Sequence, residues 1–118
     1  MTWTYKQSTG QIMLNNKAIG TGYSGIGQGK NNPILQSFRN LGPIPQGRYK
    51  IGPLYHSHKT GPFVMNLIPI NHNALGRSSF EIHDDNPTHN VSNGCIILSR
   101  DLRLRIGMDK DKILEVVK

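Results

Sequence analysis

Thr2-Trp3-Thr4-Tyr5-Lys6-Gln7, Gln11-Ile12-Met13-Leu14 and Ala18-Ile19-Gly20-Thr21-Gly22-Tyr23 carry apolar and polar residues in rough alternation, separated by Ser8-Thr9-Gly10 and Asn15-Asn16. A period of two puts alternate side chains on one face of a strand, and turn formers at this spacing close hairpins, so the stretch reads as a β-meander. The pattern continues outward. Gly42-Pro43-Ile44-Pro45-Gln46-Gly47 is a rigid turn leading into a strand at Arg48-Tyr49-Lys50-Ile51, and Val64 to Ile68, Ser79 to His83, Cys95 to Leu98 and Ile113 to Val117 read as further strands. Ser99 is a good N-cap with Asp101 in the first turn behind it, which predicts a short helix ending near Gly107. A second helical turn is expected within Pro33 to Asn40, where Ile34, Leu35 and Phe38 are suitably spaced. The expectation is one mostly-β domain over residues 1–118, a sandwich or barrel-like arrangement with one or two short helices.

A chain of 118 residues buries roughly two-thirds of its unfolded surface, enough for one core and no second domain. No apolar run approaches the roughly 20 residues that a membrane-spanning helix requires. Met1 to Lys6 lacks the basic and apolar regions of a secretory signal, so work outside the cytoplasm requires delivery by other means. Fourteen Lys and Arg against seven Asp and Glu give a formal charge of +7, which favours anionic partners such as nucleic acid or an acidic cell wall, or serves solubility alone. Only Arg100 to Arg105 is dense in cations; with few aromatics and no nucleic-acid motif, nucleic-acid binding stays a rival reading, beside a non-catalytic cell-wall-binding module.

Potential chemistry is concentrated between Phe80 and Leu98. His83 ends an alternating strand, a turn-rich loop follows, and Ser92-Asn93-Gly94 leads to Cys95, the sole cysteine. A thiol without an intrachain partner is either a small core residue or a nucleophile that a neighbouring imidazole must help to ionise. Gly94 permits unusual backbone geometry, so that the amides of Gly94 and Cys95 are candidates for holding an oxyanion. His83 is the candidate base. His89 competes, since it is nearer Cys95 in sequence, but it falls in a loop.

These residues resemble the catalytic signature of the L,D-transpeptidase domain family, in which a His-Gly pair precedes Ser-His-Gly-Cys and an apolar residue. His83 matches the upstream histidine, and Ser92, Gly94, Cys95 and Ile96 match the cysteine motif. Gly42 to Ile51 is similar to the family's Thr-Pro-x-Gly-x-Tyr-x-Ile segment. Trp3-Thr4-Tyr5 and Thr21-Gly22-Tyr23-Ser24-Gly25 look closer to a compact subgroup that includes antibacterial type VI secretion effectors with L,D-transpeptidase-like and L,D-carboxypeptidase activity. The resemblance implies an L,D-transpeptidase-type fold, catalysis by Cys95 and His83, and no cofactor. Its substrate would be peptidoglycan tetrapeptide stems in the periplasm of a target bacterium, with a secretion apparatus and a cognate immunity protein as further partners. It also suggests that Tyr23 and Ser24 line the cleft, although Tyr23 suits a core as well. The sequence departs from the family pattern twice. Asn93 replaces the second histidine, and Asp84 replaces the glycine after His83, adding a carboxylate beside the base and near the substrate.

Arg77, just before the His83 strand, offers a bidentate fork for a substrate carboxylate, against the simpler expectation of a solvated surface arginine. His56 and His58 have spacing that suits one strand face, and with His72 they are the nearest approach to a metal site, but no acidic or thiolate ligand accompanies them. Gly25-Ile26-Gly27-Gln28-Gly29 lacks the feeding strand and following helix of a phosphate loop. The expectation is therefore neither metal nor nucleotide.

Overall fold

Trp3–Lys6 (β1) buries Trp3 and Tyr5 completely and leaves Thr4 and Lys6 partly exposed, as the alternation requires. The computed structural model describes residues 2–85 and 94–118. Gln11–Leu14 (β2) and Lys17–Thr21 (β3) complete an antiparallel meander with β1. Asn15 and Asn16 both adopt positive φ, the requirement of a tight two-residue hairpin whose twist matches its strands. Tyr23–Ser24 (β4) is a separate two-residue strand.

The rest of the sheet is joined by the remaining strand pairings. Gly47–Ile51 (β5), Tyr55–Ser57 (β6), Gly61–Ile70 (β7), Phe80–His83 (β8), Ile96–Ile97 (β9) and Ile113–Val117 (β10) join the first four strands in the order β3-β2-β1-β10-β5-β7-β8-β9-β4, with β6 paired to β7 off this path. The sheet is mixed: β1 with β10 and β8 with β9 are parallel, and the other pairs are antiparallel. The sequence anticipates the mostly-β class; the parallel pairs are additional to the meander it suggests.

Nine strands laid flat at about 4.8 Å would span about 38 Å. The molecule's longest extent is 32 Å, and the two end strands of the path, β3 and β4, are separated in the chain by Gly22 alone. The sheet therefore curls back on itself, which matches a barrel-like expectation. Gly22 marks the closure: a Cβ there would land on the Ile97 carbonyl oxygen, so only a glycine lets the two backbones approach. Inside lie Trp3, Tyr5, Tyr49, Met65, Leu67, Ile82, Ile96, Leu114 and Val116.

Arg100–Gly107 (α1) begins where the cap predicts, with the Ser99 hydroxyl accepting from the Leu102 amide. The short helical turn expected within Pro33 to Asn40 is a 3-10 turn at Pro33–Leu35, capped by Asn32. The helix packs on β7 through Ile106 and, unexpectedly, Arg103. The Arg103 guanidinium is 1% exposed; it donates to the carbonyls of Leu98 and Pro62 and approaches the Asp84 carboxylate at 3.5 Å. The densest basic run is thus not continuous at the surface: Arg100 and Arg105 are exposed and Arg103 is buried. No helix among the described residues is long and apolar enough to cross a membrane.

Candidate active site

The parallel pair β8–β9 builds the site. Its register sets Ile82 against Ile96 and His83 against Ile97, so Cys95, one residue before β9, falls level with Glu81. Ile82 and Ile96 are both fully buried in the core, and the period of two turns Glu81, His83 and Cys95 to the opposite face. One donor atom from each of these three residues lies within 4.8 Å of the others. Parallel strands need a crossover of about a dozen residues, and residues 84–95 supply it. His89, Ser92 and Asn93 lie in that crossover, outside the described residues.

His83 is buried, and its Nδ1 lies 2.8 Å from the Asp84 backbone oxygen. A carbonyl can only accept, so Nδ1 carries a proton and Nε2 is the nitrogen left to serve as a base. The group that Asp84 presents to the imidazole is therefore its carbonyl. Its carboxylate, expected beside the base, instead accepts from the Asp85 amide and faces Arg103.

Cys95 is half-buried and sits 3.9 Å from the Ser79 carbonyl. Burial pushes its thiol up to about 11; the Glu81 carboxylate adds to the rise, while the Glu81 backbone N–H, Arg77 and Lys59 oppose it. A thiol held this high is protonated near pH 7, against the expectation that a neighbouring imidazole ionises it. A nearby anion disfavours the thiolate, so Glu81→Gln, which removes that anion, is expected to lower the thiol pKa. Iodoacetamide alkylation of chelator-treated protein should climb through neutral pH in the wild type, and its profile should move to lower pH in Glu81→Gln. An unmoved profile would contradict the assigned electrostatic role.

Around the thiol is a polar cleft of about 350 Å³, with Asn40, Lys59, Thr60, Ser79, Glu81 and His83 among its lining residues. Glu81 is anchored there: Tyr55 donates to one carboxylate oxygen at 2.7 Å and Thr60 to the other at 3.2 Å. Sequence reading missed Glu81, although the signal existed. A carboxylate two residues before a strand-ending histidine must share its face. Lys59, Thr60 and Ser79 carried no comparable local signal.

Three residues expected at the cleft serve other purposes. Arg77, anticipated as a solvated surface side chain or a substrate fork, is 6% exposed and donates to the carbonyls of Gln36, Pro43 and Gly42. It is a clamp that ties its own loop to the segment around residues 36–43. Gly94 makes the turn before Cys95 possible, having φ of +104° and no Cβ to collide with the Arg77 guanidinium. Ser24 is fully buried; its hydroxyl accepts from the Ile44 amide at 2.8 Å and donates to the Gly94 carbonyl at 3.3 Å. Because C=O and N–H of a trans peptide point in opposite directions, this bond aims the Cys95 amide away from Ser24. Tyr23 bonds Asp85 at 2.6 Å and lines a second groove with Asp84, Ile97 and Ser99, apart from the thiol cleft.

Arg77→Ala would leave three carbonyls without their donor and is expected to destabilise the protein by about 3 kcal/mol, with Arg77→Lys recovering only part because it lacks the fork. Urea denaturation measures this. A loss below about 0.5 kcal/mol, the range of ordinary surface substitutions, would contradict the clamp.

His72 is equally committed to structure, Nδ1 accepting from the Ala74 amide and Nε2 facing the Arg48 carbonyl at 2.8 Å. It does not join His56 and His58, whose rings lie 6.4 Å apart.

The fold and this cluster define a small mixed-sheet domain with a thiol, an imidazole and a carboxylate on one strand rim. The chain belongs to the Tlde1 domain family, whose model matches residues 19–117, and so to a family of type VI secretion effectors. Comparison with curated proteins gives no match.

Proposed function

We propose that this protein is a cysteine-dependent acyl transferase or hydrolase acting on the peptide stems of peptidoglycan, delivered as an antibacterial effector. The observation that carries the reading is the meeting of the Cys95 sulfur with the His83 imidazole, whose tautomer is set by the Asp84 carbonyl. Nucleophile, base and orienter are the parts required for acyl transfer through a covalent intermediate. The motif resemblance to L,D-transpeptidases supplies the substrate, and membership of the Tlde1 family supports the effector role.

The reaction starts from the neutral thiol. As Sγ attacks the carbonyl between the third stem residue, commonly diaminopimelate, and D-Ala, Nε2 of His83 takes the thiol proton. The amides around Gly94 and Cys95 hold the oxyanion. Collapse expels D-Ala, whose amine takes the proton from His83, and leaves a thioester on Cys95. Water then gives L,D-carboxypeptidase action, a free D-amino acid gives exchange, and another stem's amine gives a crosslink. An effector that attacks the wall also requires a secretion apparatus and, in the producing cell, a cognate immunity protein.

The stems lie in the periplasm. Expression in a susceptible bacterium is therefore expected to kill when the chain is exported to the periplasm and not when it is retained in the cytoplasm. Equal killing without export would place the target in the cytoplasm and defeat the wall reading.

A further inference from the structure

We propose that Glu81, His83 and Cys95 form a zinc site in which the metal occupies the sulfur and holds the protein inactive. The site itself stands on geometry; its consequence for activity rests on the reading of Cys95 as the nucleophile. The three donor atoms lie within 4.8 Å of one another. Tetrahedral zinc, bound at about 2.0–2.3 Å, needs its ligands about 3.3–3.6 Å apart, so side-chain rotations of about 1 Å close the site. Sulfur, imidazole nitrogen and carboxylate oxygen make a donor set suited to zinc and poorly suited to magnesium or calcium.

The surroundings are already those of a metal site. A ligating histidine characteristically donates its other ring N–H to a carbonyl or carboxylate, and His83 Nδ1 faces the Asp84 carbonyl in this way. The Glu81 carboxylate is oriented by Tyr55 and Thr60, and each oxygen retains a lone pair. Binding converts Cys95–SH and Zn²⁺ into a zinc thiolate, with the thiol proton released to solvent. A fourth position stays open toward the cleft. The bound sulfur lone pair is then unavailable for attack, and the thiol is shielded from oxidation until the metal leaves.

Metal-free full-length protein, titrated with Zn²⁺ against a chromogenic chelator, should bind one equivalent. Glu81→Gln should weaken binding by more than about tenfold and Cys95→Ala by more, since even outer partners of ligands are worth about 10–100-fold. The His56→Ala/His58→Ala double variant should keep wild-type affinity. Co²⁺ added to wild type should give a thiolate-to-metal charge-transfer band, a readout that needs no substitution. No band, or zinc affinity that survives Cys95→Ala while disappearing in the His56→Ala/His58→Ala variant, overturns the site. The two claims fail separately. If metal-free enzyme needs Cys95 for D-Ala release and zinc does not bind, only the site is lost; if zinc binds but Cys95→Ala stays active, only the covalent reading is lost.

Discussion

Cys95→Ala and Cys95→Ser are expected to reduce release of D-Ala from tetrapeptide muropeptides by at least about a thousandfold, to background. The described chain has no other thiol, and neither alanine nor an unactivated serine hydroxyl replaces it as a nucleophile. Both substitutions are small changes at a half-buried position, so stability should stay within about 1 kcal/mol and circular dichroism should be unchanged. That combination separates lost chemistry from lost fold. Digests analysed by mass spectrometry give the activity, and wild-type product from Cys95→Ala would remove the thioester from the mechanism.

His83→Ala is expected to slow acylation by on the order of a hundredfold or more, the usual contribution of general acid–base catalysis. The neutral resting thiol sharpens this expectation. Since burial and Glu81 hold the thiol up, removing the imidazole should leave the alkylation profile of Cys95 nearly unmoved while acylation collapses. His83→Gln, which keeps bulk in a buried position but offers no base, should behave alike. His89→Ala is the comparator. If it alone slowed acylation, the base would belong to the crossover loop and the motif assignment to His83 would be mistaken.

Local signals made much of this structure legible. Ser99 and Asp101 announce α1 through cap chemistry, Asn15-Asn16 announces a hairpin through tolerance of positive φ, and the alternation of Ile113 to Val117 yields β10 with its observed bounds. Pairing was less visible. That β10 lies parallel to β1, and β9 parallel to β8, depends on contacts between segments whose local patterns do not specify a partner. The meeting of Cys95 with His83 is a consequence of that second register, so residue types could nominate the pair but not join it.

Charge misled in a consistent direction. Arg77 and Arg103 look like surface residues, yet each is buried because surrounding turns present backbone carbonyls that need donors. Asp84 looked like a carboxylate for the base, but the strand end offers its carbonyl, and Arg103 draws the side chain away. Glu81 went unnoticed for the opposite reason: it was read only as a polar position in a strand, when its place two residues before His83 puts it on the site face.

The central claim is that a stem becomes covalently attached to Cys95. It is tested most directly by intact-protein mass spectrometry of metal-free enzyme quenched during turnover of a tetrapeptide muropeptide. The account predicts a transient adduct equal to the muropeptide less D-Ala, located on the Cys95 peptide, released by hydroxylamine and absent from Cys95→Ala. Turnover that releases D-Ala at full rate without any adduct, and equally in Cys95→Ala, would contradict it.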